Sequence, residues 1–520
     1  MAGNWPPEGL VGNSAIIVIR LSMFGPEKYR CPAANALTAH GLRPRGETGR
    51  KPEALDPFPH GPFMAAAHRL ERSPGAKLSS IPIGSWHHPL HDGVRQWTQH
   101  ALRIYQDAFP ANTDLVPARG PWVYKSQPGG EGTVQYHITA WGRFLESRDG
   151  RIRELRLPSN RLRKRSETER AVAALVAAEG NNDRRVERVR VVQFALSDGR
   201  AEEIFNGTRD EAKALYRADG APAVRALLAG REYKPGTACA SCAFASVCPA
   251  LQRAPGLLGV ADRTRPRRSW SSTLGRGYKI CPARAYLRDL RLPVDDSVER
   301  GPAAERGRAV HAFLAKRHER RPCTPCSPDI PPDWLPKGYQ ISDDQQKLGA
   351  TLLRHHAEVC PLRRTGPGSE VRVERALVFD DTAADVLVLA EPDLLYRDGN
   401  AWVWRETKTS GSDRACRDVM NTYPQLALAV RIIGGGLPSA SRSKGRVELE
   451  VLRPGGVDLR TLDPFAPATQ AAAEAVLSDQ VLGWHSDVQF QARPSHECGS
   501  CEMARWCSAR SPRPGEEARQ

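Results

Sequence analysis

Runs of apolar residues in the second half of the chain predict a β-hairpin. Residues 387–396 form one such run, the pair Asp398-Gly399 follows it, and residues 401–409 form the second run. An Asp-Gly pair between two apolar runs is typical of a tight turn that joins antiparallel strands. Residues 189–199 and 447–456 each show a strand pattern that leads into a turn, and the two segments resemble each other.

Two segments near this hairpin predict helices. Residues 307–314 have the spacing of an amphipathic helix with a single histidine, His311, and residues 423–429 begin an apolar helix. Residues 41–62 and 322–338 are instead rich in proline and glycine, which is typical of loops.

Two elements of the sequence occur twice, which indicates an internal duplication. Residues 22–33 resemble residues 272–283, and residues 235–248 resemble residues 494–507 with the same Cys-x2-Cys-x5-Cys pattern. Each half of the chain therefore begins with a Cys-Pro element and ends with three clustered cysteines.

The boundary between the halves is predicted near residue 262, because residues 255–269 are polar and interrupted by prolines. The expected fold is α/β, with two tandem domains that each contain a mixed sheet flanked by helices and held by four cysteines. The first domain would span residues 1–261 and the second residues 262–510, while residues 511–520 would form a disordered tail.

The composition favours a soluble protein with a polyanionic partner. The 520 residues include 75 Lys and Arg against 59 Asp and Glu, which gives a net charge of +16 (75 − 59). A basic surface attracts the phosphate backbone of nucleic acids. No apolar run approaches the roughly 20 residues that span a bilayer, and no N-terminal signal is visible. We therefore expect a cytoplasmic protein with no membrane contact.

Twelve cysteines in a reducing compartment favour metal or cluster binding over disulfides. Two matching sets of four thiolates can each bind a tetrahedral zinc ion or a cubane iron–sulfur cluster, and the ligands alone do not choose between these. We interpret Cys323 and Cys326 as an incidental loop pair, and Cys360 and Cys416 as core or surface residues. The two sets are Cys31, Cys239, Cys242 and Cys248, and Cys281, Cys498, Cys501 and Cys507.

The predicted hairpin carries two carboxylates and an amine. Side chains at positions i and i+2 of a strand share a face, so Glu406 and Lys408 lie on one side while Thr407 points away. If Asp393 opposes them, two carboxylates can hold a hard divalent cation beside the amine. Metal-assisted phosphodiester hydrolysis requires this arrangement.

Two helical residues extend this pattern. His311 could add an imidazole ligand, although a single histidine on a helix is usually structural. Gln425 could reach a phosphate or a base. The residues of this pattern all lie between Cys281 and Cys498, in the order His311, Asp393, Glu406, Lys408 and Gln425. This order makes a chance arrangement improbable.

On these residues, the segment 270–508 resembles the RecB-like branch of the PD-(D/E)xK nuclease superfamily. The resemblance is to its iron–sulfur-containing members, of the AddB and CRISPR-associated RecB-like exonuclease type. It implies a restriction-endonuclease-like fold in both halves, and it implies a 4Fe-4S cluster on the second cysteine set.

The resemblance also implies roles for single residues. Lys408 would be the catalytic lysine, and Gln425 would be the glutamine of the family's Gln-x-x-x-Tyr motif. Ala429 stands where that motif has its tyrosine. The ligands implied for Mg2+ or Mn2+ are His311, Asp393, Glu406 and the Thr407 carbonyl.

The first half aligns with this pattern but lacks its chemistry. Arg143 stands where the metal-binding aspartate is expected, and Glu154-Leu-Arg156 overlays the Glu-Thr-Lys of the second half. Arginine stays charged and does not readily transfer a proton, so we expect this half to be inactive, with His68 a relic of the His311 helix. Its basic residues could contact phosphates, while a solvated basic loop is an equal alternative for residues 161–165. The candidate contacts are Arg143, Arg156, Arg161, Arg163, Lys164 and Arg165.

These features predict a Mg2+- or Mn2+-dependent deoxyribonuclease that acts in DNA repair, recombination or antiphage defence, with one or two 4Fe-4S clusters and zinc as the alternative. The competing hypothesis is a noncatalytic DNA-binding or scaffold subunit beside a helicase or other effector. No Gly-x4-Gly-Lys-Ser/Thr loop occurs in the sequence, so ATP-driven unwinding would come from a partner.

Overall fold

A computed structural model describes two compact units. Unit 1 consists of residues 1–251, 287–293 and 506–508, and unit 2 of residues 252–286, 294–505 and 509–520. The predicted tail, residues 511–520, lies outside the described residues. Those described are 5–12, 15–26, 30–45, 51, 53–73, 75–84, 88–110, 114–126, 134–183, 185–295, 298, 301–366, 368–414, 416–438 and 445–509.

Unit 1 contains short and long strands together with six helices among its described residues. The strands are β1 (Leu10–Val11), β2 (Ile16–Arg20), β3 (Arg43–Pro44), β4 (Leu115–Pro117), β5 (Val123–Lys125), β6 (Gln135–Thr139), β7 (Arg143–Ser147), β8 (Ile152–Ser159), β9 (Arg188–Ala195) and β10 (Ala201–Thr208). The helices are α1 (Pro32–Ala39), α2 (His60–Arg72), α3 (Asp92–Ala108), α4 (Glu167–Glu179), α5 (Arg209–Leu215) and α6 (Ala221–Leu228).

The core of unit 1 lies around α4. Ser166 caps this helix in a reciprocal capping box with Glu169, and residues 171–178 are all buried. A helix that is apolar on every side belongs in a core, which explains the alanine-rich run.

The second part of the chain is also mixed α/β. Its strands are β11 (Gln252–Arg253), β12 (Arg268–Trp270), β13 (Val371–Val373), β14 (Leu377–Asp381), β15 (Val386–Ala390), β16 (Leu394–Asp398), β17 (Ala401–Thr409), β18 (Arg446–Arg453) and β19 (Gly456–Leu462). Its helices are α7 (Ser272–Ile280), α8 (Pro282–Asp289), α9 (Pro302–His318), α10 (Asp343–Val359), α11 (Val419–Thr422), α12 (Pro424–Gly434) and α13 (Pro467–Ser486). No helix in the described part of the chain is both long and apolar enough to cross a bilayer.

The main sheets of the two units have the same strand order and the same pairing senses. In unit 1 the order is β4-β7-β8-β9-β10, and in unit 2 it is β13-β16-β17-β18-β19. In each sheet the third and fourth strands pair in parallel and the other neighbours pair antiparallel.

The smaller sheets also correspond. The order β2-β6-β5 in unit 1 matches β12-β15-β14 in unit 2, with a parallel pair followed by an antiparallel pair, and β11 extends the second sheet.

The predicted hairpin is present, with one difference. Strands β16 and β17 pair across a tight turn at Gly399, whose φ of +61° suits glycine. The apolar run 387–396, however, is divided between β15 and β16, which belong to different sheets. Pro392 lies in the break, because proline cannot donate to a sheet ladder. The helices predicted at 307–314 and 423–429 are α9 and α12.

Candidate functional site

Residues 406–409 of β17 extend beyond the end of β16. The ladder with β16 ends at the pair of Leu394 with Arg405, whereas the ladder with β18 continues to Thr409. The backbone N–H of Thr407 donates to Asp393 Oδ2 at 2.7 Å on the side that β16 leaves open. The end of β17 thus holds the carboxylate of Asp393, the residue directly before β16.

Glu406 and Lys408 share a face of β17 and meet Asp393 there. Lys408 Nζ donates to Glu406 Oε2 at 2.9 Å and to Asp393 Oδ2 at 3.2 Å. Trp404 Nε1 donates to Glu406 Oε1 at 2.9 Å and fixes this carboxylate, which is only 3% exposed. The structure therefore brings the two carboxylates and the amine together, as the i and i+2 spacing predicts.

Helix α9 brings His311 to the same group. His311 Nδ1 lies 3.4 Å from Asp393 Oδ1, the other oxygen of that carboxylate. Gly307 lies one turn earlier on the same face of α9, and a Cβ at this position would lie 3.0 Å from Thr409 Oγ1. The missing side chain lets the helix approach the end of β17 closely.

Burial and neighbouring charges shift the pKa values of Glu406 and Asp393 in opposite directions. Burial and the charge of Asp393 raise the pKa of Glu406. Burial also acts to raise the pKa of Asp393, but its hydrogen bond with His311 and the charge of Lys408 outweigh burial and lower it. Burial acts to lower the pKa of Lys408, yet the charges of Glu406 and Asp393 raise it overall. The amine therefore stays protonated at neutral pH.

The donor set fits a hard divalent cation. Asp393 and Glu406 offer carboxylate oxygens, the ligands that Mg2+ and Mn2+ prefer, and both converge on one point beside Lys408. Thr407 can add its backbone carbonyl and His311 its imidazole.

Two further carboxylates, Glu374 and Glu391, are electrostatically coupled to Asp393. Partial burial and the charge of Asp393 raise the pKa of both. Glu374 has a φ of +42°, uncommon for a residue other than glycine, and its N–H donates to the Asp393 carbonyl at 3.4 Å. Glu391 could have been noticed in the Glu-Pro-Asp triplet, whereas no sequence signal marks Glu374.

Gln425 is not joined to this group by a hydrogen bond within the part of the chain that the structure describes. It is the second residue of α12, directly after Pro424. Ala429, at the position of the family's tyrosine, is fully buried in the same helix. No hydroxyl at position 429 is therefore available to orient Gln425.

Unit 2 also holds a buried group of potential ligands that the sequence interpretation missed. His318, Cys326, His356 and Cys360 each place one donor atom within 4.8 Å of all the others, and among the described residues this is the single group of three or more that does so. Cys326, interpreted above as part of an incidental loop pair, thus lies among these donors, while Cys360, interpreted as a core or surface residue, is buried. The available signal was His-x7-Cys followed by His-x3-Cys.

The first predicted cysteine set lies in unit 1 and accepts backbone hydrogen bonds. The N–H of Lys234 donates to Cys31 Sγ at 3.5 Å, and the N–H of Gly236 donates to Cys239 Sγ at 3.3 Å. Burial, together with Cys239 and Cys31, raises the pKa of Cys242 to about 11. Backbone N–H groups aimed at sulfur fit cysteines that ligate a metal or a cluster.

The second set shows the same two contacts in unit 2. The N–H of Arg493 donates to Cys281 Sγ at 3.4 Å, and the N–H of Ser495 donates to Cys498 Sγ at 3.4 Å. Cys507 lies in residues 506–508, which group with unit 1.

In unit 1, Arg143 contacts a helical histidine, His68, as Asp393 contacts His311 in unit 2. His68 on α2 lies with Nδ1 2.9 Å from Arg143 Nη2, and Glu71 accepts from Arg143 Nε at 3.1 Å. Arg156 pairs with Glu154 and is only 7% exposed. Both guanidiniums are thus occupied by carboxylates within the fold.

Some side chains of the basic run 161–165 also bind a carboxylate within the fold. Arg163 and Arg165 both bind the buried Glu169, at 2.8 Å and 3.2 Å. Arg161 and Lys164 are exposed, which makes them the members of the run that are open to solvent.

Two carboxylates and a lysine thus meet at the end of the central strand of a mixed sheet, a combination that suits metal-assisted phosphodiester hydrolysis. Comparison with known proteins agrees, because residues 269–508 match the family model described as the PD-(D/E)XK nuclease superfamily. A search of curated proteins gave no match. The solved structure titled "Crystal structure of SSO0001" is similar over 32% of this chain and 77% of that chain, with 15% identity and a TM-score of 0.19, which is too low to support an argument.

Proposed function

We propose that the protein is a metal-dependent deoxyribonuclease with its active site in unit 2. The observation that carries this proposal is the convergence of Asp393, Glu406 and Lys408 at the end of β17, within the segment that matches the nuclease superfamily. The net charge of +16 favours a polyanionic substrate such as DNA.

The proposed roles follow from the contacts of each side chain. Asp393 and Glu406, with His311 and the Thr407 carbonyl, would hold Mg2+ or Mn2+. The bound ion would polarise the phosphate and lower the pKa of a water molecule. Lys408 keeps its proton because two carboxylates surround it, so it donates a hydrogen bond and stabilises developing negative charge instead of acting as a base. Trp404 holds the Glu406 carboxylate in place.

We propose that unit 1 is a degenerate, noncatalytic copy of the same domain. The matching strand orders and senses support the duplication. Arg143 supports the loss of activity, because a guanidinium paired with Glu71 and in contact with His68 replaces the aspartate that would bind the cation.

We further propose that the cysteine sets bind 4Fe-4S clusters, with zinc as the alternative. The support is the paired N–H contacts to Cys31 and Cys239 and to Cys281 and Cys498. Iron, sulfide and zinc analysis of anaerobically purified protein separates the two alternatives.

The nuclease proposal is tested by cleavage of single-stranded and duplex DNA with Mg2+ or Mn2+. Lys408→Ala and Asp393→Asn should each lower the rate by a factor of about 100 or more, because each removes transition-state stabilisation. Arg200→Ala in unit 1, which removes an exposed arginine bound to Asp198, serves as the control and should keep its activity. Metal-independent DNA binding without any cleavage by the unaltered protein would instead support the noncatalytic scaffold.

A further inference from the structure

Four side chains from three segments meet in a buried pocket of unit 2. His318 is the last residue of α9, His356 lies in the last turn of α10, and Cys360 follows that helix directly. Cys326 comes from the segment between the two helices. All four are buried, at 7% exposure or less.

The distances between their donor atoms are those of a tetrahedral metal site. With Zn–N of about 2.0 Å and Zn–S of about 2.3 Å, a tetrahedron has edges of about 3.3 Å between nitrogens and about 3.5 Å between nitrogen and sulfur. His318 Nε2 lies 3.3 Å from His356 Nε2, 3.5 Å from Cys326 Sγ and 3.9 Å from Cys360 Sγ.

A carboxylate orients one of the imidazoles from behind. His356 Nδ1 lies 2.7 Å from Glu450 Oε1, and Glu450 is fully buried. When Nδ1 donates to this carboxylate, the lone pair of Nε2 faces the pocket. Histidines that bind metals commonly have such a carboxylate partner.

The apolar surroundings make it unfavourable to bury these four polar side chains without a bound metal. The pocket belongs to an apolar cluster that includes Trp334, Leu352, Leu353 and Leu362. Two imidazoles and two thiols in such a cluster need partners for their polar atoms. A cation that accepts all four donors satisfies them together.

We propose that His318, Cys326, His356 and Cys360 bind a structural zinc ion, separate from the nuclease site and from both four-cysteine sets. Two thiolates and two imidazoles select zinc over Mg2+ or Mn2+, which prefer oxygen ligands. Four protein ligands complete the tetrahedron and leave no position for a substrate, so the role is structural.

Such an ion would join the segments that support the nuclease site. It would tie the end of α9, the helix that carries His311, to α10. Through Glu450 it would reach β17, because Thr407 Oγ1 donates to Glu450 Oε2 at 3.3 Å.

Metal analysis of the full chain tests this proposal. The zinc content of the unaltered protein should exceed that of the Cys326→Ser/Cys360→Ser variant by about one ion per chain. The Cys323→Ser variant is the matched control, since Cys323 is buried in the same segment but does not belong to the group. It should retain the full zinc content. The difference between proteins is the measurement, so metal bound by the other cysteine sets does not affect it.

A second measurement uses the unaltered protein, in case the double variant does not fold. A thiol reagent is added in steps, released zinc is read with a chromogenic chelator, and modified cysteines are mapped by mass spectrometry. Zinc release in step with modification of Cys326 and Cys360 supports the proposal. Equal zinc in the double variant and the control, release unrelated to these two thiols, or a disulfide between them in the purified protein would overturn it.

Discussion

The absence of a side chain at position 307 lets α9 come close to the end of β17. The ideal Cβ position lies 3.0 Å from Thr409 Oγ1, a distance that real Cβ contacts rarely show. His311 is one turn further along the same face, so a shift of the helix moves the imidazole relative to Asp393. Glycine is otherwise unfavourable within a helix by about 1 kcal/mol.

Gly307→Ala should therefore lower the cleavage rate, by about tenfold, although alanine favours the helix itself. The double variant Gly307→Ala/Thr409→Ala removes the contacted hydroxyl and should recover most of the activity. Steady-state cleavage assays and thermal unfolding are the measurements. Equal activity of the single variant and the unaltered protein would show that the helix position is not critical.

The opposite pKa shifts of Asp393 and Glu406 predict that metal binding depends on pH. Burial and the charge of Asp393 raise the pKa of Glu406, so this group takes up a proton at a higher pH than an ordinary carboxyl at about 4.3. Protonation removes a ligand, so metal affinity should fall as the pH is lowered, and the fall should begin at a higher pH than an ordinary carboxyl would cause.

Lys408→Met should move this loss to higher pH, since removal of a positive charge raises the pKa of both neighbouring carboxylates. Titration calorimetry with Mn2+ at several pH values measures the midpoint. A midpoint that is unchanged or shifted to lower pH would contradict the proposed coupling.

At this scale the sequence predicted much of the site, and the reason is geometric. Glu406 and Lys408 share a face because alternate side chains of a strand point to the same side. One further carboxylate, that of Asp393, then completes the pair that could hold a cation. Glu374 could not be predicted in this way, because packing between distant segments places it there. The His318 group has a local signal in its two His-Cys spacings, but the meeting of the two pairs depends on the same kind of packing.

Among the elements, β17 and its neighbour β18 are joined by a buried ion pair in addition to their backbone ladder. Arg405 binds Glu448 of β18 at 2.6 Å, with both side chains at most 4% exposed. Removal of one partner of a buried ion pair typically costs about 3–5 kcal/mol. Because Arg446 also binds Glu448, at 2.7 Å, Arg405→Met should destabilise the protein by an amount near the lower end of this range, about 3 kcal/mol, in urea unfolding.

Arg460→Ala is the matched control, because its ion pair with Asp458 lies on the same sheet and is about one third exposed. We expect a loss of about 0–1 kcal/mol there.

Burial acts to raise the pKa of Glu448, but Arg405 and Arg446 outweigh it and lower the pKa. The contribution of Glu448 is thus present above the unfolded pKa of about 4.3 and is lost as the pH falls through the folded value. Glu448→Gln should weaken this acid dependence.

The elements also show where sequence patterns fail. The run 387–396 has the apolar character of one strand, but Pro392 interrupts the ladder and the chain passes from one sheet to the other. The apolar pattern alone does not show that β15 belongs to the smaller sheet and β16 to the main sheet. The hairpin turn, by contrast, was predictable from Asp398-Gly399, because the required positive φ is local.

For the whole molecule, the two units divide the proposed tasks of cleavage and attachment to DNA. The exposed Arg161 and Lys164 of unit 1 are the proposed phosphate contacts. Each phosphate contact contributes about 0.9 to the slope of log K against log salt concentration. Arg161→Ala/Lys164→Ala should therefore reduce that slope by about 1.8.

Fluorescence anisotropy with labelled DNA at several salt concentrations measures this slope. The control is Arg185→Ala/Arg200→Ala, which removes the same charge from arginines of unit 1 that are more than 60% exposed and bound to Asp183 and Asp198. Equal slopes for the two double variants would mean that net charge alone governs binding.

Thr407 has one further consequence for the molecule. Its amide is hydrogen-bonded to Asp393 and its hydroxyl to Glu450, so one residue of β17 is anchored to both buried pockets of unit 2. Any sliding of this strand along its axis would stretch both anchors at once. We therefore expect that an ion bound in one of the two groups would also restrict the motion of the other.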